Sequence, residues 1–502
     1  MNELLSFIYK EQKELSNLGG VAALLGWDQM TYMPQLGATE RSEQLSLISR
    51  ISHEKFTSDK LYDLVKKFNE PAMLETLNEK DKTVINRLCK DIEKSRKVPS
   101  DFVEKMAKTT TLAHSAWEKA RNECNYSLFA SPLEKIIELE RQYCDYINLA
   151  GHMYNSLLDS YEEGMTVDTL KAEFSKLKSE LVLMLEKIKS SQLYQRQQDL
   201  KVHLTVEQQK KICNLIIADM NLPNDRFRLD VSTHPFTTSM GNDDVRITTN
   251  YARKSPLFSF FSTIHEAGHA LYELGLPRND YKDTVISDAP SLGIHESQSR
   301  FWENMIARST PFWNKYFSVF QKNAEGQLTS VSVEDWYKRV NQVKPSLIRV
   351  EADELTYCLH VILRFELELD IIDDKINVSE LPGCWNDKMD DFLGVMPKND
   401  VDGVLQDMHW SGGSFGYFPT YAIGSIYASQ LYHQLVEEKT EVNSDIENGD
   451  FEQIIAWLRD NVHCYGRLLT AEEIITKCCG EGLNAEVFVK YLKDKYYKLY
   501  DI

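Results

Sequence analysis

Phe258-Ser-Phe-Phe-Ser-Thr-Ile-His-Glu-Ala-Gly-His-Ala-Leu-Tyr-Glu273 carries two histidines four residues apart, with an acid directly after the first. On an α-helix, residues four apart share a face, so His265 and His269 can reach one ion. Glu266, about 100° round the axis, then stands beside an open coordination position. A hydrolytic zinc centre needs three protein ligands and one water, whose pKa the ion lowers to about 7, within reach of a carboxylate that accepts its proton. The plain alternative is a surface helix with two histidines by coincidence. A third ligand elsewhere separates the two readings.

Ile294-His-Glu-Ser-Gln-Ser-Arg-Phe-Trp-Glu303 supplies candidates, after Pro277, Pro290 and Gly293 have made room for the chain to fold back. Glu296 is preferred as the third ligand over Glu303, two turns along on the same face, and over His295. Glu273, one turn beyond His269, is read as a residue that orients a ligand rather than one that binds the ion.

Working outward, the chain from Met1 to about Met220 has apolar residues at three- and four-residue steps between Glu, Lys and Gln, which predicts helices. Glu104 to Asn125, Leu133 to Asp145 and Met165 to Gln192 are the clearest, the last opened by a Thr166 cap. Trp27 to Pro34 reads as an aromatic turn between two helices, anchoring the core or lining a cleft. From Arg226 to Thr249, β-branched and aromatic residues around Gly241-Asn-Asp243 predict a short hairpin or small sheet beside the metal helix, with a strand that could pair with an extended peptide. Helices return from Phe258. The expected architecture is one mainly α domain over 1–502, with residues 1–220 forming a helical cleft wall and 221–502 the catalytic part.

The composition is that of an ordinary globular protein: 42% aliphatic and aromatic residues and 26% charged over 502 residues. A net charge of −19 argues against nucleic acid or an anionic membrane as partner, since both reward a basic face. The amino terminus has no basic n-region, and no run of about 18 apolar residues occurs, so neither a secretory signal nor a spanning helix is expected. The cysteines (Cys89, Cys124, Cys144, Cys213, Cys358, Cys384, Cys464, Cys478 and Cys479) are odd in number and lack CxxC spacing. They predict a reducing, cytoplasmic setting without disulfides.

Several blocks carry a family resemblance: His234-Pro-Phe236, Asp244-Val-Arg-Ile-Thr248, His265-Glu-Ala-Gly-His269, His295-Glu-Ser-Gln298, Ile348-Arg-Val-Glu-Ala-Asp353 and Gly403-Val-Leu-Gln-Asp-Met-His-Trp410. In order and spacing they resemble the signature blocks of the M32 metallocarboxypeptidases of the thermostable type, and the likeness extends from about residue 20 to the end. The resemblance implies a helical, deep-cleft peptidase body with His265, His269 and Glu296 as metal ligands and Glu266 as general base. It also implies a cytoplasmic homodimer that removes single residues from the free C-terminus of peptides, with one zinc or cobalt ion per chain. The nitrogen and oxygen ligands would equally accept manganese.

The remaining polar residues are candidates for holding substrate. A C-terminal carboxylate calls for an arginine fork, and Arg349 and Arg246 are available. Arg349 opens an expected helical run, Ile348 to Leu367, whose Glu351, Asp353 and Glu354 are its alternative ion-pair partners; holding the hairpin is the alternative for Arg246. A donor is also needed where charge develops on the substrate carbonyl. Likeness to more distant helical zinc peptidases favours His409 with Tyr421, with Tyr417 as the rival and plain packing as the alternative for each. Asp407, two residues away, is read as orienting His409. His234, next to Pro235 and beside the hairpin, is a candidate contact to substrate backbone, with a structural loop histidine as its alternative. Two other functions stay open: an oligopeptidase or endopeptidase on the same scaffold, and a non-catalytic helical protein with a structural metal site.

Overall fold

The computed structural model describes residues 2–199, 201–251 and 255–502, with the backbone alone for Asn2. The helical run expected from Met1 begins, in the described residues, with α1 (Asn2–Thr31), which Pro34 and a 3-10 turn separate from α2 (Ala38–Phe56). Helices α3 (Asp59–Asn69) and α4 (Glu79–Arg96) pack with α1 around a small apolar cluster that includes Ile8, Phe68 and Leu88. No helix among the described residues is long and apolar enough to cross a membrane.

Helices α5 (Ser100–Glu123), α6 (Ser127–Ile147), α7 (Val167–Ser190) and α8 (Val206–Asp219) instead contribute to the main core. The helices before the sheet thus divide between two clusters. Thr166 caps α7 by accepting the Thr169 N–H, as its position after Met165 predicts. Helix α6 starts before the expected Leu133, carrying Pro132 inside it. Its buried Phe129, Leu133, Ile136 and Ile137 outweigh the one backbone bond that the proline lacks.

The β-rich stretch forms a three-stranded sheet in the order β1-β3-β2, from β1 (Phe227–Val231), β2 (Thr237–Gly241) and β3 (Asp244–Thr249). β2 and β3 are antiparallel, pairing Thr237 with Ile247 and Thr238 with Arg246, and β1 runs parallel to β3. The sheet lies between α1 and the helix that carries His265 and His269, α9 (Pro256–Gly275).

Helix α9 is buried on most sides, with Pro256 in its first turn, where a missing N–H costs nothing. It packs on α10 (Leu292–Arg300), whose N-cap Ser291 accepts the Ile294 N–H, and α10 packs on α12 (Pro419–Glu438). Between them in sequence, α11 (Tyr357–Ile372) begins later than expected. Arg349–Glu351 is only a 3-10 turn, because the Asp353 carboxylate accepts the Leu355 and Thr356 N–H groups at 3.0 Å and starts the helix afresh.

Candidate metal centre

Three side chains from two helices converge. A ligand atom from each of His265, His269 and Glu296 lies within 4.8 Å of the other two. Glu296 Oε2 is 3.7 Å from His265 Nε2 and 3.5 Å from His269 Nε2. Two atoms about 2.1 Å from a tetrahedral ion sit about 3.4 Å apart, so this donor set fits a divalent ion closely. The other Glu296 oxygen takes Arg300 Nε at 2.6 Å, while Oε2, which also accepts the Ser299 hydroxyl at 3.2 Å, faces the two imidazoles.

Two close approaches make the convergence possible. A Cβ on Gly268, one residue before His269, would stand 2.6 Å from the Gln298 carbonyl of α10. A Cβ on Gly424 of α12 would stand 2.6 Å from Glu296 Cγ. Glycine lets α9 and α12 close on the segment that carries Glu296.

Glu266 is 7% exposed, and Thr237 of strand β2 donates to its Oε2 at 2.6 Å. Burial pushes its carboxyl above the ordinary value, while His265 and the Thr237 hydroxyl pull the other way. A raised pKa suits a group that must accept a proton and release it again. Glu303 is no rival ligand: its Oε2 is 2.9 Å from His265 Nδ1, on the far side of the ring. Burial opposes charge on Glu303, but His265 and Arg300 hold its carboxyl down to about 2. Burial and the neighbouring His295 lower His269 to about 3, so its ring is neutral with a lone pair to offer. His295 itself faces Glu273 at 3.0 Å, and Glu273 also pairs with Arg278; Glu273 therefore orients His295, not a ligand.

A second group adjoins the first through Tyr357. The Arg300 guanidinium lies 4.0 Å from the Tyr357 ring centre, and Arg349 Nη1 donates to the Tyr357 hydroxyl at 3.3 Å. Arg349 is 5% exposed, and its partner is Asp407 Oδ1, 2.8 Å from Nη2, rather than the expected Glu351, Asp353 or Glu354. Glu354 is taken by Lys495, Tyr491 and Tyr496. The other Asp407 oxygen meets Arg364 Nη2 at 2.6 Å. Burial opposes charge on Asp407, but the two arginines hold its carboxyl far below the usual range. Two guanidiniums thus share one carboxylate, leaving one positive charge over.

His409 Nε2 is 3.2 Å from the Tyr421 hydroxyl, and Arg349 lies 4.8 Å from the Tyr421 ring centre. Tyr417 packs edge-on against Tyr421 at 5.3 Å. Asp407 Oδ1 stays 3.9 Å from His409 Nδ1, beyond hydrogen-bond reach, because both its oxygens already face arginines. The expectation that Asp407 orients His409 is therefore corrected.

Arg246 and His234 are not brought in by any contact among the described residues. Arg246 is paired with Thr238, so alternation turns it to the sheet face opposite Thr237; there it forks onto Asp244 at 2.7 Å and covers Trp27. His234 is exposed, and its carbonyl accepts the Ser232 hydroxyl. Volume does not mark the centre either: a cavity of about 910 Å³ bounded by Tyr337, Tyr432 and Tyr491 contains none of these residues.

Thr237, Arg300, Tyr357 and Arg364 escape a reading of the sequence alone. Arg364 had a signal, a cation inside the apolar run Tyr357 to Ile372, where a buried charge demands a partner. Thr237 had none, since its role depends on which strand borders α9.

Residues 7–496 match the Carboxypeptidase Taq (M32) metallopeptidase family. Thermostable carboxypeptidase 1 of Pyrococcus furiosus is 37% identical over 497 residues, covering 99% of each chain. Carboxypeptidase 1 of Bacillus subtilis is 36% identical over 488 residues, covering 97% of each. The crystal structure of the M32 carboxypeptidase from Deinococcus radiodurans R1 superposes with a TM-score of 0.95 at 34% identity, covering 100% of both chains.

Proposed function

Because the chain belongs to the M32 metallopeptidase family and is a metallocarboxypeptidase, we propose that His265, His269 and Glu296 hold its metal ion and that Glu266 is the general base. The observation that carries this reading is the placement of three donor atoms within 4.8 Å of one another beside a buried carboxylate. A bound divalent ion supplies Lewis-acid polarisation and acidifies a water. Glu266 removes the proton from the attacking water and passes it to the departing amine. Thr237 holds Oε2 of that carboxylate still.

His409 and Tyr421 are the donors to the developing oxyanion, with Tyr417 beside them. Arg349 is the substrate clamp in preference to Arg246. The surplus positive charge of the Arg349, Arg364 and Asp407 cluster favours an incoming carboxylate, whereas the Arg246 fork is already matched by Asp244. His234 would touch substrate only as an exposed residue of the loop before β2. On this reading residues 1–220 wall the cleft and 221–502 carry the chemistry. The ion is zinc, with cobalt or manganese able to replace it. The protein is a cytoplasmic homodimer, a setting with which nine free cysteines agree.

The test is one peptide with a free C-terminus and its C-terminal amide, each incubated with the protein with and without chelator and read by mass. Stepwise loss of C-terminal residues only from the free peptide, and only with metal, is expected. Cleavage of the amide overturns the clamp and points to an endopeptidase.

A further inference from the structure

The two imidazoles of the centre are supported unequally. His265 Nδ1 meets Glu303 Oε2 at 2.9 Å, and Glu303 is held from behind by Arg308 Nη2 at 3.2 Å. His269 Nδ1 is buried and has no hydrogen-bond partner among the described residues; its ring packs against His295 instead, with centres 4.4 Å apart.

Helix spacing alone would not put Glu303 there. Seven residues after Glu296, a regular α-helix returns to the same face about 10.5 Å further along. After Arg300 the chain leaves the α-helix for a π-helical stretch, Phe301–Ile306, whose wider i→i+5 turn changes the direction of each side chain in it. Glu296 leaves the α-helical part to face the Nε2 atoms, and Glu303 leaves the π-helical part to face Nδ1 of His265. The same segment thus presents a carboxylate to each nitrogen of one imidazole, hydrogen-bonded at Nδ1 and 3.7 Å away at Nε2.

We propose that Glu303, delivered by this π-turn, is the positioning residue of the metal centre: its carboxylate accepts the His265 Nδ1 proton, fixing the tautomer whose Nε2 lone pair faces the ion and strengthening that nitrogen as a donor. This rests on the metal-centre reading above. His265 is then the anchoring ligand and His269 the weaker one. Carboxylate support of a histidine ligand is worth about 10- to 100-fold in metal affinity.

The test strips the protein of metal and titrates it with cobalt, following visible absorption and competing with a chromophoric chelator. Glu303→Gln removes the charge but keeps an acceptor. A Glu303→Gln/Arg308→Met double variant removes the charge together with one of its two arginine partners, so the net charge of the buried cluster is unchanged. Both are expected to bind cobalt about 10- to 100-fold more weakly with a shifted visible band, while Glu303→Asp recovers part of the loss. The proposal is overturned if the double variant melts like the parent in its metal-free form and binds cobalt with unchanged affinity and spectrum. A parent protein that binds no cobalt at all overturns the metal-centre reading, and this proposal with it.

Discussion

His409 shows how far a single residue departs from its ordinary chemistry. Burial, reinforced by Arg349 and Arg364 against the pull of Asp407, lowers its pKa to about 4. The ring is therefore neutral in the folded protein near pH 7, and one nitrogen carries a proton. The linkage has a definite sign. Between pH 6.5 and 4 the unfolded chain takes up a proton that the folded chain refuses, so the stability held above pH 6.5 is lost as the pH falls, by about 1.4 kcal/mol per unit. His409→Gln removes that loss. Urea unfolding at pH 7, 6 and 5 should show the variant gaining on the parent at each step, and a constant gap would mean that the ring titrates normally. Residue type and helical spacing made His265, Glu266 and His269 legible from sequence, with Glu296 the preferred third acid there. Thr237 and Arg300 were not, because their partners come from other elements.

At the scale of elements, the centre depends on how closely α9, α10 and α12 approach. Gly424 faces Glu296, whose Cβ would be 2.7 Å from an alanine methyl there. Overpacking of this kind costs about 1–3 kcal/mol. Gly424→Ala should therefore lower the melting temperature and weaken cobalt binding together, because Glu296 is the atom group displaced. Gly19→Ala, at a site in α1 with nothing within 4 Å, should instead stabilise by up to about 1 kcal/mol through helix propensity. Thermal melts and metal titrations of the two variants check this, and equal behaviour would mean that Glu296 can move aside freely. Caps such as Thr166 were readable beforehand, since a cap acts on its own helix. The restart of the helix at Tyr357 was not, because the Asp353 carboxylate also has to accept the Lys344 N–H, from a segment outside any helix.

At the scale of the whole molecule, the apolar interior is in two parts. The smaller cluster holds nine buried side chains between Ile8 and Ile92, and the larger runs from Ala113 to Tyr500. Ion pairs join them: Arg467 forks onto Asp91 at 2.8 and 2.9 Å, and Arg87 meets Glu163 at 2.6 Å. Such pairs give little stability compared with a shared apolar core. The amides of α3 and α4 should accordingly exchange through a smaller opening free energy than those of α11, most of whose side chains are buried. Hydrogen exchange read by mass over peptic fragments measures this, and equal protection would show one cooperative unit.

The sequence by itself determined what is local or carried by residue type: a mainly helical chain, two histidines one helical turn apart with an acid beside the first, and cysteines without disulfide spacing. Only tertiary structure decided that Glu303 meets the far nitrogen of His265 while Glu296 joins the two imidazoles, which arginine shares its charge with a neighbour, and that Asp407 serves arginines rather than His409. Those choices depend on distances between elements, and neither periodicity nor motif spacing encodes a distance across a core.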